Sequence, residues 1–210
     1  MKKTKIEWCD RTWNPVTGCK RGCSYCYAKR IHDRFNKTNF SDVVFREDRL
    51  GQPYRIRKPQ IIFVGSMSDI EYWDKKDLLK ILKVCKDCSH HTFMFLSKHP
   101  CSYMSEDFCR IDWPKNTMQG LTIVKNDSVA SYEKMSAIIE LCPRPFLSIE
   151  PLQGEVYFTK AFFRFEKIIV GAMTGPGAIP PEPKWIQSIK MNVPTDKIFW
   201  KSNIKPYLDY

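Results

Sequence analysis

No stretch of this sequence stays apolar for the ~20 residues that a bilayer-spanning helix needs, so no membrane span is expected. Met1-Lys2-Lys3 is basic, but no apolar segment follows it, which leaves a secretory signal unsupported. Acidic residues are the minority, 23 against 34 basic ones, and the chain carries a net charge of +11. The deficit is uneven. Between Lys20 and Lys58, eleven Lys and Arg stand against four Asp and Glu, which supplies seven of the eleven net charges. Such a segment attracts polyanions, nucleic acid first among them; a solvated basic face, or charge offsetting a bound anion, is the plainer alternative. The nine cysteines have neither the even count nor the rhythm of a disulfide framework. A reducing, cytoplasmic setting is the expectation. With 210 residues and 43% hydrophobic content, the sequence describes one folded domain over 1–210.

What the sequence does have is a cysteine triad. Gly18-Cys19-Lys20-Arg21-Gly22-Cys23-Ser24-Tyr25-Cys26-Tyr27 spaces three cysteines as C-x3-C-x2-C. Soft thiolates at this spacing select zinc, copper(I) or an iron–sulfur cluster. Structural zinc and ordinary four-iron clusters both take four protein ligands. Only three are local here, so a cluster on this loop would keep one iron open. Cys85 and Cys88, with His90, His91, Cys101 and Cys109 downstream, are candidates for a second metal site. Cys85 also falls on the apolar face of an expected helix, where cysteine is a common core residue.

A short strand is expected around Thr12–Val16, running into the cysteine loop. A helix should follow Cys26, with Tyr27, Ala28, Ile31 and Phe35 on its inner face and Lys29, Arg30, Asp33 and Arg34 outside. Its N-terminus would point amide dipoles at an anionic ligand. Residues 36–59 read as a basic insertion or long loop. From residue 60 the pattern is regular. Apolar runs begin at Ile61, Thr92, Gly120, Phe146, Lys167 and Lys197. Helical patterns lie between them, one capped by Asp74 and another by Asp127 or Ser128. Alternation of this kind predicts a parallel sheet whose strands are buried on both faces. A full (β/α)8 barrel needs about 250 residues. The expected fold is therefore α/β, an incomplete TIM-like barrel of about six to seven units, with a doubly wound open sheet as the alternative.

Each run ends in polar or glycine residues, and parallel barrels build their sites at those ends. Ser66, Ser68 and Asp69 follow the second strand as an acceptor-rich loop suited to an ammonium, or as an Asx turn before a helix. Lys98 suits a carboxylate or a phosphate; His99, beside Pro100, reads as a surface residue. Glu150 is a strand-end carboxylate that could bind hydroxyls or pair with Lys98. Gly171, Gly175 and Gly177 let backbone approach a ligand closely.

The triad, with an aromatic before its last cysteine, resembles the signature of radical S-adenosylmethionine (SAM) enzymes. Ile6-Glu7-Trp8, Thr12-Trp13-Asn14-Pro15-Val16-Thr17-Gly18-Cys19 and Cys26-Tyr27-Ala28-x-Arg30 resemble one branch more closely, the phage-associated three-cysteine-motif proteins of unassigned function. Many members of that branch have a longer gap between the first two cysteines. Cys9 stands where the branch usually has Thr, so it is not expected as a shared ligand. The resemblance covers nearly the whole chain. It implies a four-iron–four-sulfur (4Fe-4S) cluster on Cys19, Cys23 and Cys26, with SAM on the open iron. It implies that Ser66, Ser68 and Asp69 meet the SAM amino group, and that Tyr25 and the glycines of Val170-Gly171-x-x-x-Gly175-Pro176-Gly177-Ala178 meet the adenine. For Glu150 the ribose hydroxyls are the expected partner. Glu150 and Lys98 are the candidates for a catalytic role. A reducing partner such as flavodoxin or ferredoxin is implied.

The function expected from these readings is a radical SAM enzyme acting on a nucleic acid or nucleotide. Three rivals remain. They are an iron–sulfur electron-transfer protein, a zinc-stabilised nucleic-acid-binding module, and an enzyme acting on a small anionic metabolite.

Overall fold

In the computed structural model, all six apolar runs form strands, and the mixed α/β chain divides into two units. The structure describes residues 1–99, 103, 108–125, 139–140, 142–158, 160–175 and 177–209. No helix among the described residues is long and apolar enough to cross a membrane.

The first unit is Met1–Ser97 with Ser105–Thr117. β1 (Lys2–Lys3) runs antiparallel to β2 (Arg11–Trp13). Pro15 interrupts the chain before β3 (Val16–Thr17), so the expected first strand is broken in two. The cysteine loop leads from β3 into α1 (Tyr27–Phe35), and β4 (Val44–Phe45) returns antiparallel to β3. β5 (Ile61–Val64) lies parallel to β2, with Trp13 opposite Val64. After α2 (Lys75–Asp87), β6 (Thr92–Ser97) pairs parallel with β5. Trp13 is fully buried and its ring meets Phe93 at 5.8 Å.

α2 forms because Leu78, Ile81, Leu82 and Cys85 recur on one face, and all four are buried. Asp74 occupies the N-cap position but makes no capping hydrogen bond; its carboxylate lies 3.7 Å from Lys76 instead. At the other end one Asn116 amide nitrogen donates to the carbonyls of Cys85, Cys88 and His91 at 2.8, 3.3 and 3.0 Å. That satisfies acceptors a helix C-terminus would otherwise leave open.

Two expectations need correction. Residues 36–59 are not a structureless loop. They hold β4 and two 3-10 turns, Glu47–Arg49 and Pro53–Arg55. Backbone acceptors fasten them. The Trp13 indole donates to the Arg49 carbonyl at 2.8 Å, and the Arg46 amide to Pro15 at 2.7 Å. Phe40 is buried beneath them. Nor does α1 turn its apolar stripe inward. Ala28 is its buried residue, whereas Tyr27, Ile31 and Phe35 are 45%, 46% and 73% exposed.

The second unit is Lys98–Met104 with Met118–Tyr210. It takes β7 (Thr117–Ile123) from that strand's second residue, then β8 (Pro145–Leu152), β9 (Lys167–Ala172) and β10 (Ile198–Trp200). Each is parallel to the next. β7 is buried throughout, as a strand covered on both faces should be. Gly120 sits opposite Phe146, and a Cβ there would lie 2.2 Å from the phenyl ring. α3 (Pro183–Asn192) starts with proline at its first position and buries Trp185, Ile186 and Ile189. The helix expected after Asp127 or Ser128 lies almost wholly outside the described residues.

Candidate functional site

In the first unit the cysteine loop and the loop after β5 are joined. Gly18 and Ser68 form a parallel bridge. The Gly18 amide donates to the Met67 carbonyl at 2.9 Å, and the Ser68 hydroxyl donates to the Gly18 carbonyl at 2.7 Å. Gly18 has φ +96°, and a Cβ there would fall 2.0 Å from the Asp42 carbonyl oxygen, so only glycine serves. Asn14 adds a second tie. Its Oδ1 accepts from the Ser66 hydroxyl and from the Met67 amide, both at 3.1 Å. The Tyr27 hydroxyl donates to the Ser66 carbonyl at 2.7 Å.

These bonds employ the serine hydroxyls internally. Ser68 Oγ also accepts from the Trp73 indole at 2.9 Å. Asp69 is buried, and its Oδ1 accepts from the Ser97 hydroxyl at 2.7 Å and from the Glu71 amide at 3.1 Å. The expected acceptor loop is thus present and rigid, with an Asx turn built into it.

Cys19, Cys23 and Cys26 are free and partly exposed. Burial pushes the Cys19 thiol up to about 11, against a backbone hydrogen bond at Arg21; Asp69, Cys26 and Cys23 add to the rise. The Cys26 sulfur accepts from the Lys29 amide at 3.3 Å and so caps α1, where the helix dipole favours a thiolate. Tyr25 is raised to about 12 by burial and by the neighbouring Cys23, whose sulfur it hydrogen-bonds. Tyr72, which the sequence did not single out, is raised to about 12 by burial and by Glu71, with Cys19 close enough to contribute. Arg21 pairs with Glu71 at 3.3 Å.

The donor set fits an iron–sulfur cluster or zinc in kind: three soft thiols on one short loop, each within electrostatic reach of Cys19. It is not closed around a common point. Among the described residues no group of three or more His, Cys, Asp or Glu is arranged to hold a metal ion. Metal binding itself supplies free energy that orders such loops and strips their thiol protons. For the second set of cysteines, Cys85 and Cys88 are buried and Cys109 is exposed. Cys101 lies outside the described residues.

In the second unit Glu150 forms an ion pair with Lys201. Lys98 had been the expected partner; it follows β6 as a partly exposed residue. Glu150 stands at a register shift in β8 between Ile149 and Leu152, where a bulge re-aims a side chain. The Glu150–Pro151 peptide is cis. Gly171 makes room for the pair, since a Cβ there would lie 3.0 Å from Lys201 Cδ and 3.3 Å from Glu150 Cγ. Asn203 grips the next residue twice. It donates to the Ala172 carbonyl at 2.7 Å and accepts from the Ala172 amide at 3.3 Å. Lys201 and Asn203 were missed because the only sequence signal was the polar tail after Trp200. Gly175 and Gly177 sit in an exposed turn with φ +96° and +74°; Pro176 lies outside the described residues.

Of the basic residues between Lys20 and Lys58, Lys20, Lys29, Arg30, Arg34, Lys37, Arg55, Arg57 and Lys58 are exposed. The sequence model of the family described as "Protein of unknown function (DUF5131)" matches residues 3–202. No curated protein and no solved structure matches the chain. With nearly its whole length matched, the chain belongs to the DUF5131 family.

Proposed function

We propose that this chain is a radical SAM enzyme, with Cys19, Cys23 and Cys26 holding a 4Fe-4S cluster and SAM bound at its open iron. The observation that carries the reading is the glycine-bounded triad, fastened through Gly18 to the Ser66–Asp69 loop. When bound, the cluster and SAM supply the radical chemistry, reductive cleavage of SAM to methionine and a deoxyadenosyl radical. The chain's own residues hold and orient. Asn14, Ser68 and Trp73 fix the loop beside the triad, so that backbone and the Asp69 carboxylate meet the amino group with little rearrangement. Cys26 gains from its place at the α1 N-terminus. Tyr25 offers a ring next to Cys23. In the second unit Glu150, held ionised by Lys201, is the proposed acceptor for ribose hydroxyls, and Gly171 and Gly175 the proposed backbone neighbours of the adenine.

The parallel series β2, β5, β6 and β7, β8, β9, β10 support an incomplete TIM-like barrel of about six to seven units. The exposed cations between Lys20 and Lys58 favour a nucleic acid or nucleotide as substrate. The electron comes from a reducing partner of the flavodoxin or ferredoxin kind.

Electron paramagnetic resonance of the anaerobically reconstituted, reduced protein, with and without SAM, tests the reading. A reduced-cluster signal that shifts on SAM addition is the expected result. A cluster signal indifferent to SAM would make this an electron-transfer protein. Zinc without iron would make it a binding module.

A further inference from the structure

The outer face of α1 carries two kinds of side chain that soluble helices rarely expose together. Tyr27, Ile31 and Phe35 follow one another at four-residue spacing, which stacks them in one stripe, and all three are exposed. Arg30 and Arg34 lie three residues after Tyr27 and Ile31, which sets them alongside that stripe. The Arg34 guanidinium stands 5.4 Å from the centre of the Phe35 ring. Lys20 and Lys37 are exposed before and after the helix. Asp33 is the one acidic residue of α1, and it is occupied by Lys29.

The platform is rigid. The Tyr27 hydroxyl is tied to the Ser66 carbonyl, and the helix is seated by Ala28. His32 closes its end, with Nε2 2.9 Å from the Thr38 carbonyl and its ring 5.3 Å from that of Phe40. Tyr27 and Phe35 are about 12 Å apart along the axis.

We infer that this face of α1 binds single-stranded nucleic acid. Bases stack on Tyr27 and Phe35, and phosphates lie on Arg30, Arg34 and Lys37. Stacking platforms interleaved with cations are how unpaired strands are held without reading sequence. A duplex hides its base faces and gains nothing from the rings. An acidic protein would use the cations but has no need of a guanidinium and a phenyl side by side. Arginine's planar fork matches phosphate better than a lysine point charge does. The inference rests on the polynucleotide part of the function proposed above and deepens it, by naming the strand state and the surface.

Fluorescence anisotropy with a labelled mixed-sequence oligonucleotide tests it, as single-stranded DNA, single-stranded RNA and duplex, over a range of salt, with neither SAM nor reductant present. The full-length protein should bind the single strands more tightly than the duplex. Phe35→Ala should weaken single-strand binding about tenfold, within the usual worth of one stacked base. Arg30→Gln with Arg34→Gln should weaken it further and lower the salt slope by about one. Lys83→Gln with Lys86→Gln removes the same charge from α2 and should change little. Equal loss from the α2 pair, duplex binding as tight as single-strand binding, or no oligonucleotide binding at all would overturn the inference. Because Phe35 is among the most exposed side chains, its loss is read without a folding defect. The paramagnetic test of cluster and SAM is read separately, so either result can fail while the other stands.

Discussion

The Ser68 hydroxyl donates to the Gly18 carbonyl across fifty residues of sequence, and the same oxygen accepts from the Trp73 indole. One serine therefore fixes where the cysteine loop begins. Ser68→Ala removes both bonds and strands two partly buried polar groups, at a cost of about 1–3 kcal/mol. Urea unfolding should show that loss. Thiol-reagent labelling of Cys19 should also quicken, because its loop is no longer held.

Cys19→Ser, Cys23→Ser and Cys26→Ser should each abolish bound iron and sulfide after anaerobic reconstitution. Cys109→Ser should leave both at the level of the unaltered protein, since Cys109 is an exposed free thiol outside the triad. Equal iron in the triad variants would remove the cluster assignment.

Gly171→Ala places a methyl group 3.0 Å from Lys201 Cδ and 3.3 Å from Glu150 Cγ. The Glu150–Lys201 pair must shift. SAM binding by equilibrium dialysis should fall while iron content stays unchanged. Lys201→Met leaves a mostly buried carboxylate without its cation. Allowing for partial exposure, about 1–3 kcal/mol of stability should go, seen as a lower urea midpoint.

His91 is 1% exposed, and its Nδ1 accepts from the Gln60 amide at 3.2 Å. Burial, and then the charge of neighbouring His90, hold its pKa below the usual 6.5. The unfolded chain therefore binds this proton more readily than the folded one. The stability His91 contributes is complete above about pH 6.5 and is lost as pH falls from there toward the lower folded value. The slope is at most about 1.4 kcal/mol per pH unit. Chemical denaturation between pH 8 and pH 5 should show the decline, and His91→Gln should flatten it.

The strands were legible because burial on both faces leaves continuous apolar runs such as Ile61–Val64 and Lys167–Ala172. α1 was legible as a helix but not in its orientation. Periodicity reveals a stripe and says nothing of what covers it. The fastening of residues 36–59 was hidden because it runs through the backbone carbonyls of Arg49 and Pro15, which every residue type carries. In the candidate site the triad, the Ser66–Asp69 loop, Glu150 and Gly171 announced themselves by local pattern. Lys201 acts on a residue 51 positions away and Asn203 on one 31 away, separations that local patterns do not report.

The grip of Asn203 on Ala172 has a bearing on association. β10 has only three residues, and it pairs with β9 at one end of the strand order. Just past its last residue, the Asn203 amide takes up the donor and acceptor of Ala172 that a longer strand would have used. The edge is short, and its final rung is closed by a side chain. A neighbouring molecule finds little backbone there to template on, so growth of the sheet from chain to chain is disfavoured at this margin.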